Sequence, residues 1–109
     1  MANKYLRATH ISVADTPEII YTVPAANASI VASLRVTNAN GATAYVSVTA
    51  TPASSTGILV LSDRRLAVDE TMDVFSGVSF NMQAGDSLTV EATEDDIVFW
   101  LSYLEVDRT

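Results

Sequence analysis

Apolar and polar residues alternate with period two through most of this chain, and no other feature constrains its fold as much. In SIVASLRVTN, residues 29–38, Ile30, Ala32, Leu34 and Val36 fall on one side, with Ser33, Arg35 and Thr37 on the other. In TAYVSVTA, residues 43–50, Ala44, Val46 and Val48 alternate with Tyr45, Ser47 and Thr49. Successive side chains of a strand point to opposite faces, so this pattern, rich in β-branched residues, is that of strands with one buried face. Shorter runs follow the same logic: THISV, EIIYTV, GILVL, TMDVFS, VSFNM, SLTVEA and the long IVFWLSYLEV. Turn chemistry separates them at ADTP, VPAANA, TPASSTG, VDET, QAGD and TEDD. No window carries a helical stripe.

The fold class expected is therefore all-β: a single antiparallel β-sandwich of about eight strands, jelly-roll or immunoglobulin-like. Residues 1–16 read as an N-terminal arm and first strand and 17–109 as the sandwich, one domain overall. Two local expectations are specific. Asn40-Gly41, between two alternating runs, predicts a tight hairpin, because both residues tolerate positive φ. The run IVFWLSYL, apolar in both parities, predicts a strand covered on each side.

Composition narrows the function classes. The chain has no cysteine, so disulfides and thiolate metal sites are excluded. The segment MANKYLRATH has no apolar stretch of signal-peptide type, and no run reaches the roughly 18 apolar residues of a membrane span. A soluble protein with no membrane partner is expected. The net charge of −7 is unevenly spread. Residues 66–107 hold ten acids and no base, whereas residues 1–65 hold five bases and three acids. Such a surface repels phosphate backbones, so no nucleic-acid partner is expected. The acids read either as a solvated face or as one pole of an oriented, head-to-tail contact.

Candidate chemistry is sparse. Gly85-Asp86-Ser87-Leu88 matches the four letters that head a family of serine hydrolases. A serine nucleophile needs a base, yet no histidine follows Ser87, and the alternation of Leu88, Val90 and Ala92 predicts a strand where a helix should stand. A turn feeding a strand is the better reading. His10 is the single histidine and has no partner at metal-ligand spacing. Glu91, Glu94, Asp95 and Asp96 lack the glycine and spaced oxygen ligands of a calcium loop and read as an exposed acidic hairpin tip. Asn27-Ala28-Ser29 fits a glycosylation sequon, which carries little weight without a signal peptide. No catalytic residue, cofactor or metal site is assigned, and a non-enzyme is expected. The candidate interface residues are Trp100, Phe99 and Tyr103, of which Phe99 and Tyr103 share one face of the last strand and Trp100 the other. Arg64 and Arg65 join them as a strand-edge charge or an anion hook.

Several segments taken together resemble a family. Tyr21-Thr22-Val23-Pro24, Ile30 to Asn38, Val68 to Val74, Gly77 and Ala84 to Val90 are similar to the framework of small β-sandwich virion proteins of tailed bacteriophages. These are found among capsid decoration, head-fibre, neck and tail-accessory components. The resemblance spans about residues 17–106, and it departs from the usual pattern at Ala25-Ala26-Asn27 and at Asp69. It implies a structural virion protein, most simply a capsid decoration (cement) protein on the outside of the head, with a neck, collar or tail accessory as the alternative. It implies the major capsid protein or other virion proteins as partners, and localisation to the virion after assembly in the host cytoplasm. A homo-oligomer is expected, with a trimer favoured because it suits local threefold positions. A ligand-binding β-sandwich module is a further class, disfavoured by the low aromatic content.

Overall fold

The computed structural model describes residues 3–107. Nine strands run in the order β1 (Asn3–Ile11), β2 (Glu18–Thr22), β3 (Asn27–Asn38), β4 (Ala44–Thr51), β5 (Ile58–Leu66), β6 (Thr71–Asp73), β7 (Phe80–Met82), β8 (Ser87–Ala92) and β9 (Ile97–Asp107). They form two antiparallel sheets, one ordered β1-β9-β3-β6 with β7 also on β3, the other β2-β8-β4-β5. β6 pairs with Arg35–Thr37 and β7 with Ser29–Val31, so together they make one interrupted edge strand. Counted this way the described residues form eight strands in two four-stranded sheets. Apart from the β6–β7 interruption and the β4–β5 hairpin, each described strand is followed by one in the opposite sheet. That wrapping is the double Greek key of a jelly roll. An immunoglobulin sandwich would keep more sequence neighbours within one sheet.

Alternation explains the core. Leu34, Val36, Phe99 and Leu101 from the first sheet meet Val46, Val48, Leu88 and Val90 from the second, all at most 1% exposed. Stacked sheets sit about 10 Å apart, which leaves room for one interdigitated layer and excludes water from it. The turn joining β6 to β7 closes one flank, with the Phe75 and Phe80 rings stacked 4.7 Å apart.

Four sequence expectations are corrected. Asn40-Gly41 does not make a hairpin: β3 and β4 lie in different sheets, and positive φ among glycines occurs at Gly77 and Gly85. The segment is a crossover held by Asn38, whose side-chain amide donates to the Ala42 and Leu66 carbonyls at 2.9 and 3.0 Å. The hairpin between consecutive strands is at residues 52–57, within TPASSTG. Second, the alternation of β3 is interrupted. Val31 faces Tyr103 and Ser33 faces Ser102, so Ala32 is an extra residue, a β-bulge. The bulge reverses parity: Val31 is buried, whereas Ile30 and Ala32 point outward. Third, β9 is covered on one face alone, since Phe99 is 0% and Trp100 42% exposed. Fourth, residues 93–96 are no hairpin tip, because β8 and β9 belong to different sheets.

The acids have a structural origin. Asp15, Asp63, Asp69 and Asp96 adopt positive φ, which Asp tolerates better than most residues. Asp73 accepts the Phe75 N–H at 3.1 Å, Glu70 the Ala67 N–H at 2.8 Å and Asp95 the Ala14 N–H at 2.7 Å. Asp86 takes the Ala53 and Gln83 N–H groups at 3.0 and 2.9 Å, one on each oxygen. A jelly roll has many loops, and carboxylates satisfy the backbone donors that its turns leave open.

Candidate interaction face

Among the described residues, nothing around Ser87 resembles a hydrolytic centre. Ser87 is the first residue of β8, opposite Thr22 and Thr51, and the residues before it form the turn that Asp86 ties. Gly85 supplies its positive φ of 83°, and a Cβ there would lie 2.8 Å from the Ala53 Cβ. His10 sits on β1 in the other sheet, its ring 6.2 Å from that of Phe99. Among the described residues no three His, Cys, Asp or Glu side chains gather as a metal site, and no helix is long and apolar enough to cross a membrane.

One polar cluster is buried. The Tyr21 hydroxyl donates to the Glu105 carboxylate at 2.7 Å, and Asn27 Nδ2 donates to its other oxygen at 3.2 Å. Tyr21 belongs to one sheet and Glu105 to the other, so the bond pins the sheets together near one end. The Tyr21 and Tyr103 rings pack 4.1 Å apart beside it. Burial, and after it the Glu105 carboxylate, push the Tyr21 phenol well above the ordinary tyrosine value, and the same two causes raise Tyr103. The buried Ser29 hydroxyl beside it opposes the shift at Tyr21 without overcoming the effect of burial. The cluster is enclosed and unsuited to solvent-borne substrate.

The outer face of the β1-β9-β3-β6 sheet is different. Its register places Tyr5 and Arg7 on β1, Trp100, Ser102 and Leu104 on β9, and Ile30, Ser33 and Arg35 on β3 in one layer. Tyr5 is 86% exposed. The Arg7 guanidinium lies over the Trp100 indole, 5.2 Å from the ring centroid, while Arg35 stands directly across from Trp100 on β3. Two open troughs flank the indole. One of about 780 Å³ includes Tyr5, Ile30 and Leu104, and one of about 530 Å³ includes Ser33, Arg35 and Thr37. Asp73 opposes Arg35 in register, with its Oδ1 accepting the Phe75 N–H, so the face carries two guanidiniums around the indole against one carboxylate on the neighbouring strand. Trp, Tyr and Arg are the residue types that dominate protein interface energetics.

The structure thus divides the residues singled out from sequence. Trp100 is exposed on this face. Phe99 is corrected: it lies in the core because the second sheet covers its side of β9, and it cannot anchor a partner. Tyr103 is half-buried against Tyr21. Arg64 and Arg65 are exposed on β5, an edge strand of the other sheet, and do not join Trp100. Tyr5, Arg7 and Arg35 were not singled out. The parity of Arg35 opposite Ile30 was misleading in the sequence, because the bulge at Ala32 brings both to the same face.

No protein-family model matches the sequence, and comparison with curated proteins finds no match. Solved structures do match. The chain is similar to a subunit from "Bacillus endospore appendages form a novel family of disulfide-linked pili", with TM-score 0.61 and 14% identity over 99% of this chain and 88% of that one. It also aligns with a pentameric capsid protein from metagenomic phage sequences, TM-score 0.39 and 20% identity, over 93% of this chain and 62% of the other. A third alignment is with infectious bursal disease virus, TM-score 0.42 and 9% identity, over 96% of this chain and 32% of that one. The two viral superpositions are too loose to bear on function, and at 14% identity the likeness to the pilus subunit shows a shared fold alone.

Proposed function

We propose that this protein is a structural component of a tailed-bacteriophage virion, a decoration protein that binds the outside of the head and acts as a homo-oligomer, with a trimer favoured. The observation that carries the reading is the uncovered face centred on Trp100, an aromatic and guanidinium platform on a rigid jelly roll. A sheet face bearing such residues suits a protein surface, first of all that of a neighbouring copy in the oligomer, better than a small substrate, which calls for a concave, enclosed site. The sequence resemblance to small virion β-sandwich proteins supports the same assignment. The partners are the major capsid protein or other virion proteins.

Copy number in purified particles, together with rebinding to particles stripped of the protein, tests the proposal. Hundreds of copies and rebinding at micromolar concentration are expected. A handful of copies per particle would move the protein to a neck, collar or tail position, and absence from particles would overturn the virion reading.

A further inference from the structure

The loops of the jelly roll gather at two ends of unlike charge. At one end lie residues 12–17, 39–43, 67–70 and 93–96, which together contain Asp15, Asp69, Glu70, Glu94, Asp95 and Asp96 and no Lys, Arg or His. These loops are tied to one another and to neighbouring strands. The Asp15 N–H donates to the Ala92 carbonyl at 2.8 Å, the Ala39 N–H to the Asp96 backbone carbonyl at 3.2 Å and Asn40 Nδ2 to the Asp95 backbone carbonyl at 3.0 Å. The carboxylates are therefore held on a fixed scaffold. At the opposite end the loops of residues 23–26, 52–57 and 83–86 hold one charged residue, Asp86, with both its oxygens used by backbone N–H groups, and β1 begins and β9 ends there with Lys4, Glu105 and Asp107.

Against a net charge of −7, the Trp100 face stands out as a cationic surface with two guanidiniums beside an exposed indole. The chain's split into basic and acidic halves does not survive folding. Lys4 becomes the cross-strand neighbour of Glu105, and Asp15 from the basic half joins the acidic end. What folding creates instead is an end and a face of opposite sign. Two copies of a strongly acidic protein repel in most orientations, and the orientation that brings this end to this face replaces repulsion with attraction.

We infer that the Trp100 face receives the acidic end of a second copy of this chain, carboxylates of the end pairing with Arg7 and Arg35 around the indole. The contact is heterologous: each copy offers one end and one face. Such contacts close into a ring when the rotation between copies allows it, and a threefold rotation yields the trimer of the functional reading above, on which that last step rests.

Purified protein tests the contact by sedimentation. Wild type should associate, with an association constant falling at least about tenfold between roughly 0.05 and 0.5 M salt. One variant carries Arg7→Glu and Arg35→Glu. A second carries Glu94→Gln with Asp15→Asn and Asp96→Asn, neutral so that it does not complement the reversed face, and Asn keeps the left-handed backbone at positions 15 and 96. Each should be monomeric alone. Mixed in equal amounts they should form one-to-one dimers and nothing larger, because one variant retains a working end and the other a working face. A monomeric wild type, association of either variant at wild-type strength, or a mixture that stays monomeric overturns the inference. If either set fails to melt cooperatively, Arg7→Gln with Arg35→Gln and Glu94→Gln ask the same question more mildly: each should weaken association, and unchanged association overturns the inference. Self-association without shell binding would sink the decoration reading and keep this contact. Shell binding by a protein that stays monomeric would do the reverse.

Discussion

Phe99 and Trp100 are neighbours in one apolar run, yet the protein uses them for opposite purposes. Phe99, with Ile97 and Leu101, points between the sheets and is fully buried. Trp100, with Val98 and Ser102, points away and lies under Arg7. The inner parity of β9 is bound by packing, where a lost methylene leaves a void that neighbours cannot fill. The outer parity is free of that constraint and can be shaped for a partner. A single strand at the centre of a sheet thus carries stability on one face and recognition on the other.

The largest effect should come from the inner face. Phe99→Ala is expected to lower unfolding free energy by about 3–5 kcal/mol, read from denaturant titration at constant m-value. A loss below about 1 kcal/mol would mean that the core closes without it and would break the comparison.

The tie between the sheets ranks second. Tyr21→Phe removes a hydrogen bond to a buried carboxylate and should cost about 1.5–3 kcal/mol at neutral pH. It should also change the alkaline limb. The Tyr21 phenol resists ionisation in the fold, whereas in the unfolded chain it ionises near the ordinary value of about 10. Above that pH the unfolded state binds fewer protons than the folded one, so stability falls as pH rises. The contribution is complete below about pH 10 and is lost towards the higher folded value. Tyr103 acts in the same direction, so the variant should flatten the decline without abolishing it. An unchanged slope in urea titrations above that pH would show that the phenol is not held protonated.

The outer face should matter little to folding. Trp100→Ala is expected to change stability by less than about 1 kcal/mol, the scale of an exposed cation–π contact, while removing self-association in sedimentation. A large stability loss with association intact would reverse the roles assigned to the two faces. At the bottom of the scale, Ser87→Ala should stay within about 0.5 kcal/mol of wild type and leave esterase turnover at background. Turnover that this substitution abolishes would reinstate a nucleophile.

How much of this was legible beforehand differs by element. β4 and β8 read correctly because alternation is local: Val46 and Val48, Leu88 and Val90, bury the parity their sequences show. The strand after Ser87 and the turn at Gly85-Asp86 were legible for the same reason. β3 was not, because one inserted residue at Ala32 inverts the parity before it, and a bulge leaves no mark in an unbroken apolar run. Asn40-Gly41 misled because its turn chemistry is real but serves a crossover between sheets. The interface residues were half legible. Trp100 stood out by type, while Arg7 and Arg35 needed the register that places β1 and β3 on either side of β9.

By itself the sequence determined what depends on neighbours along the chain: an all-β sandwich, most strand positions, the turn at Asp86 and the lack of a serine–histidine pair following Ser87. Tertiary structure alone decided the jelly-roll wrapping, the burial of one face of β9 and the exposure of the other. It also gathered the carboxylates of three separate loops at one end and two arginines around one indole. The physical reason is range. Side-chain parity and turn geometry act over a few residues, whereas strand pairing joins segments as distant as Arg7 and Ser102, and only that pairing determines which charges share a surface.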